Sequence, residues 1–223
     1  MKKLFITIAF VAATMFASAQ LYVGGNIGMN TQSAKVTTES NGVSVTADGP
    51  KWFGFEFNPS AGFMFNEKMG VGLDLTFGFN KRTTKGVDED GDKYTRTVKT
   101  TTIGFAPYFR YIFAEIDNFK FYADGKIDYR ISTPKTTIDY DEMSLSVDGD
   151  KTNRLFIGVV PGMAYQLTDN FSLNCKLNIL SLGYTSIKEV EKDGGTTTTT
   201  KYSEFDLGIN DPTPITIGVF YTF

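Results

Sequence analysis

Between Gly70 and Asn80 the chain reads "GVGLDLTFGFN". Val71, Leu73, Leu75, Phe77 and Phe79 fall on every second position, with Gly70, Gly72, Asp74, Thr76, Gly78 and Asn80 between them. Successive side chains of a β-strand point to opposite faces, so this stretch has one apolar face and one face of small or polar groups. A helix would scatter the same residues around its circumference. The alternation recurs along the chain and predicts eight strands, at 21–30, 53–65, 70–80, 102–113, 119–131, 155–167, 171–179 and 213–223. A chain of 223 residues suits a single all-β domain of this kind.

The connections constrain the topology further. They are 22, 4, 21, 5, 23, 3 and 33 residues long, so long and short links alternate without exception. Membrane-spanning barrels have short periplasmic turns and longer extracellular loops. The tight polar links "NEKM" (66–69), "AEIDN" (114–118) and "TDN" (168–170) are therefore assigned to the periplasmic end, and segments 31–52, 81–101, 132–154 and 180–212 to the outside. "YTRTVKTTT" and the Thr196–Thr200 run are rich enough in β-formers to extend strands as hairpins above the membrane. The expected fold is all-β: an eight-stranded antiparallel up-and-down transmembrane β-barrel with short periplasmic turns and long extracellular loops.

Alternation alone does not say which face looks inward, but glycine does. In the predicted strands the polar face carries Gly24, Gly28, Gly54, Gly62, Gly70, Gly72, Gly78, Gly104, Gly158, Gly162 and Gly218, and the apolar face only Gly25 and Gly125. On a solvated surface glycine weakens a strand, whereas inside a narrow barrel it makes room for bulky neighbours. The polar face is therefore read as the lumen. The neighbours assigned to that room are Glu56, Asp74, Asp124 and Asp128 with Arg110, Lys120, Lys126, Arg130 and Lys176, four acids against five bases. Desolvating an isolated ion is costly, so these groups are expected to pair in a near-neutral network that plugs the interior. Phe53, Phe55, Phe57, Ile103, Phe105, Phe109, Ile127, Ile157 and Leu173 would face lipid, with Tyr22, Trp52, Phe65, Phe113, Phe171 and Tyr221 near strand ends as interfacial aromatics.

The first residues read as a secretion signal: Lys2 and Lys3, an apolar stretch from Leu4 to Phe16, and the small-residue site Ala17-Ser18-Ala19 before Gln20. At 13 residues the stretch is short of the ~20 that span a bilayer as a helix. Residues 1–19 are expected to be cleaved, leaving a barrel domain of 20–223. Removal of Lys2 and Lys3 leaves 20 basic against 25 acidic residues, a net charge of −5, so nucleic acid is not an expected partner. Cys175 is the only cysteine, which rules out an internal disulfide.

The last strand, "ITIGVFYTF", places Ile215, Ile217, Val219, Tyr221 and Phe223 on alternate positions up to the terminal aromatic residue. With this strand and the rest of the pattern, the chain resembles the small eight-stranded outer-membrane β-barrel families, the OmpA-like and "outer membrane protein beta-barrel domain" proteins of Bacteroidota. The resemblance covers essentially residues 20–223. It implies an outer-membrane location, contact with membrane lipid and lipopolysaccharide, and recognition of Ile215, Ile217, Val219, Tyr221 and Phe223 by the barrel-assembly machinery, with periplasmic chaperones during biogenesis. It implies no particular activity and names no external ligand.

Chemistry is sparse. The sequence has no histidine, which excludes a Ser-His-Asp arrangement and a histidine-rich metal site. No enzymatic activity and no cofactor are expected. "DEDGD" at 88–92 groups Asp88, Asp90 and Asp92 on the presumed outer side, but it lacks the spacing and terminal glutamate of an EF-hand, so no metal is assigned. The leading expectation is a non-enzymatic outer-membrane barrel with a filled, charged lumen, serving envelope structure or loop-mediated surface recognition. The alternatives are a transport or secretion-accessory barrel with a gated interior, and a soluble lipocalin-like ligand-binding barrel.

Overall fold

The computed structural model of the protein describes residues 20–40, 43–88, 91–140, 143–180, 182–193, 196–207 and 215–223. The expected signal segment 1–19 lies outside them. Eleven strands are found among the described residues: β1 (Gln20–Ser40), β2 (Val43–Met64), β3 (Met69–Val87), β4 (Lys93–Ile116), β5 (Phe119–Asp139), β6 (Ser144–Asp148), β7 (Lys151–Gln166), β8 (Phe171–Leu177), β9 (Leu182–Asp193), β10 (Thr196–Leu207) and β11 (Ile215–Thr222). All pair antiparallel in one sheet.

Eight of them form a ring. Pairing runs β1–β2–β3–β4–β5–β7–β8–β11 and returns to β1, where Tyr22 faces Thr222 and Ile27 faces Ile217. The Phe223 amide donates to the Leu21 carbonyl at 2.9 Å. Closure satisfies the backbone of every stave in this half without an open edge. The other three strands are extensions beyond the ring. β7 pairs β8 through Gly162–Gln166 and β9 through Lys151–Val159, so β8 and β9 form one stave interrupted by a 3₁₀ turn at Asn178–Leu180. β10 folds back on β9, and β6 on β5.

The strands run well past the apolar segments. β1 to β5 are 19 to 24 residues long, and much of 31–52, 81–101 and 180–212 is paired strand, as expected for "YTRTVKTTT" and the Thr196–Thr200 run but over a longer stretch. The physical reason is that backbone pairing needs β-prone residues but no apolar face. Hydrophobic alternation stops where the greasy belt stops, while the Thr-, Ser- and Lys-rich hairpins continue the ladder.

The short-turn end is compact. Asn66 Oδ1 accepts from the amides of Lys68 and Met69, both at 2.9 Å, which fixes the first turn. The second is tighter than the five residues expected: Ala114–Ile116 stay in β4 beyond a bulge at Ile112/Ala114, and the reversal is Asp117–Asn118 alone. Asp117 takes φ 51°, a left-handed conformation that Asp and Asn tolerate. Neighbouring turns are laced together, with Ile112 donating to the Lys68 carbonyl, Gln166 to Asn118 and Thr222 to Asn170, each at 2.8 Å.

The two faces of the ring differ sharply. Phe77, Ile103 and Ile217 are 50–53% exposed on the outside, whereas Asp124 and Thr216 on the inside are 1% and 2% exposed. An apolar belt of that extent calls for an apolar medium around it. Tyr22 breaks the expectation made for it: it is buried inside the ring, not at an outer rim. Alternation already puts it on the face of Gly24 and Asn26, and proximity to the chain start was a weaker guide than parity.

Candidate functional site: the barrel interior

Eight charged side chains from five of the staves meet inside the ring in two clusters. In the first, Arg110 on β4 grips Asp124 on β5 through two parallel bonds, Nε to Oδ1 at 2.8 Å and a terminal guanidinium nitrogen to Oδ2 at 2.9 Å. Lys176 on β8 reaches Asp74 on β3 at 2.5 Å and Asp124 at 3.7 Å. In the second, Arg130 bonds Asp128 at 2.9 Å and Glu56 on β2 at 3.1 Å, and Lys126 bonds Asp128 at 3.1 Å. Asn58 donates to the other oxygen of Glu56 at 2.8 Å. Forked Arg–carboxylate pairs offset much of the cost of burying both ions.

Lys120, expected in the same set, is not part of it. It occupies the first inward position of β5 beside the Asp117–Asn118 turn, half-buried at the open mouth, and makes no ion pair among the described residues. The paired set is thus four acids and four bases. Its interior charge balances without Lys120.

The room left by glycine is taken largely by aromatic rings, where the sequence had assigned it to charges. Tyr22 faces Gly62, Tyr108 faces Gly72, Tyr122 faces Gly162 and Phe220 faces Gly24, each directly across a strand pair. A Cβ at Gly72 or at Gly162 would stand 2.5 Å from the facing tyrosine ring, and one at Gly24 would stand 2.6 Å from the Phe220 ring. The Tyr108 hydroxyl shares hydrogen bonds with Tyr22 at 2.8 Å and Ser60 at 3.0 Å. Arg110 is sandwiched among these rings, its guanidinium carbon 3.9 Å from the Tyr122 centroid and 5.3 Å from that of Tyr108. Lys176 stands 4.9 Å from the Tyr108 centroid. The signal that could have found this layer is an inward-phase aromatic set against an inward-phase glycine on the next stave.

Two spaces remain. At the short-turn end a vestibule of about 660 Å³, lined by Lys120, Gln166, Asn66 and others, stops at Tyr22, Arg110, Tyr122 and Phe220. Between the charged clusters lies a pocket of about 10 Å³ lined by Asn26, Asn58, Asp74 and Thr216. Asn26, Asn58 Oδ1 and Asp74 Oδ1 face no protein partner there. That volume and those groups suit about one water molecule.

Elsewhere, Ile215, Ile217 and Val219 point outward, Tyr221 packs edge-on between Phe171 at 5.0 Å and Phe223 at 4.9 Å, and Phe223 is exposed. Asp88 and Asp92 frame the β3–β4 turn, Asp88 Oδ1 accepting from the Asp92 amide at 2.9 Å, with Gly91 at φ 90°. Asp90 lies outside the described residues. Among the described residues no three of His, Cys, Asp and Glu gather into a metal-sized cluster.

The model of the family described as "Outer membrane protein beta-barrel domain" matches residues 4–223. An uncharacterized protein of Haemophilus influenzae is 25% identical over 178 residues, spanning 79% of this chain and 88% of the relative. Among solved structures, the outer membrane protein OprG of Pseudomonas aeruginosa aligns at 16% identity and a TM-score of 0.46, covering 92% of this chain and 95% of that one. Neisserial surface protein A aligns at 17% identity and a TM-score of 0.35, covering 92% and 99%.

Proposed function

We propose that this chain, which belongs to the outer membrane protein beta-barrel domain family, is a non-enzymatic barrel with a filled lumen. Its role is envelope structure or the presentation of its long extracellular hairpins for surface recognition. One observation carries the reading: four acids and four bases pair inside the ring, and the rings of Tyr22, Tyr108, Tyr122 and Phe220 lie buried on the same inner face. Residues 1–19 serve as the cleaved signal and 20–223 as the barrel. Outer-membrane lipid and lipopolysaccharide surround the mature protein, and periplasmic chaperones and the barrel-assembly machinery act during its biogenesis.

Planar-bilayer recording of the purified protein tests the plug. No stable openings are expected, and steady unitary conductance would overturn the filled lumen. That second result would favour a gated transport barrel, a reading drawn from the 660 Å³ vestibule at the periplasmic end. Assembly is tested separately by Phe223→Asp. The Phe223 ring packs edge-on against Tyr221 at the end of the closing strand, so with a charge in its place membrane-inserted, heat-modifiable protein should fall severalfold while total synthesis is unchanged. Unaltered insertion would remove the assembly role given to Phe223.

A further inference from the structure

We infer that Lys81, Lys99 and Lys135 form a site on the outer wall of the barrel for the phosphorylated headgroup of an outer-leaflet glycolipid. The inference rests on the outer-membrane reading above. Lys81 on β3 lies directly opposite Lys99 on β4, and Lys99 directly opposite Lys135 on β5. All three share the outward phase of Phe79 and are exposed. Directly opposed side chains in a sheet have Cβ atoms about 4.5–5.5 Å apart, and like charges so placed destabilise the pairing.

The chain supplies almost nothing to offset this repulsion. Lys81 and Lys99 have no hydrogen-bonding or ion-pair partner among the described residues. Lys135 has only Asp148, at 3.8 Å with side chains 57% and 84% exposed, a contact of little strength. Three neighbouring ammonium groups with free donors are a match for a phosphate, which carries close to two negative charges and several acceptor oxygens.

What lies beneath the lysines selects a lipid over a soluble anion. The next outward row toward the membrane is Phe79, Thr101 and Thr133, and the one below it Phe77, Ile103 and Ile131, held in the same register. From Phe77 to Lys81 is four residues, about 13 Å along a strand. Over that distance the surface passes from apolar, through a row of one ring and two threonine hydroxyls, to cationic. That is the order of an amphiphile from acyl chain through sugar to phosphate.

The test places the full mature chain in zwitterionic nanodiscs doped with either bisphosphorylated lipid A or the same glycolipid with both phosphates removed. Bound glycolipid is counted by native mass spectrometry, and stability is read from the urea midpoint. The phosphorylated form should bind and raise the midpoint, and its apparent affinity should fall at least about tenfold in K81Q/K99Q/K135Q. The charge-matched variant K85Q/K93Q/K151Q, altered further up the hairpins, should behave as wild type. Equal binding of the two glycolipids, or full binding by K81Q/K99Q/K135Q, would overturn the site. Equal protection by millimolar inorganic phosphate would assign the row to soluble anions and overturn the lipid assignment. Failure of the wild-type chain to show heat-modifiable mobility in nanodiscs without glycolipid would strike the barrel reading itself, and this inference with it.

Discussion

Two pairs of a base with a carboxylate, one guanidinium and one ammonium, sit in very different surroundings. Arg110 and Asp124 meet at 2.8 Å inside the barrel with side chains 8% and 1% exposed, whereas Lys51 and Asp48 meet at 3.4 Å on an outer hairpin with side chains 59% and 55% exposed. In water each ion of the second pair is solvated whether or not it has a partner, so the contact contributes little. Inside, neither ion has that alternative. The inner pair is less a source of stability than a commitment: both partners must be present or neither.

The largest effect should therefore come from removing one inner partner. Arg110→Met leaves Asp124 with only Lys176 at 3.7 Å and should cost about 3–5 kcal/mol, read as a fall in the urea midpoint of the lipid-embedded protein. Arg110→Met with Asp124→Leu should recover much of that loss, and a double variant no better than the single would contradict the commitment idea. Gly72→Ala comes next. Its Cβ would press on a Tyr108 ring held by hydrogen bonds on two sides, for about 1–3 kcal/mol by the same measurement. Tyr108→Phe removes those bonds but keeps the ring, and should cost about 1 kcal/mol. Asp48→Asn should change stability by less than about 0.5 kcal/mol, and any effect should fade as salt is raised. A reversed order between Arg110→Met and Asp48→Asn would show that burial is not what separates the two pairs.

Much of the interior could be read from the chain because strand parity is local. Glu56, Asp74, Asp128 and Lys176 follow from counting by twos within a single strand. Which acid meets which base could not be read that way. Lys176 reaches Asp74 across 102 residues and Arg130 reaches Glu56 across 74, and those meetings depend on the stagger of every stave between them. Lys120 shares the parity of Asp124 but not its depth, and depth along the barrel is set by where the Asp117–Asn118 turn falls. Tyr108 and Tyr122 went unassigned because aromatic residues suit either face, and only a glycine on the neighbouring stave distinguishes the two.

The sequence alone determined that this chain forms strands, which face of each is apolar and which ends carry short turns, because all three depend on neighbours a few residues apart. The tertiary structure decided the pairing of the charges, the seating of rings over glycines and how far the staves extend into their hairpins. Each of these is a matter of register between strands far apart in the chain. The lysine row on the outer wall joins both kinds of information: its members are plain in the sequence, but only the β3–β4–β5 register places them side by side.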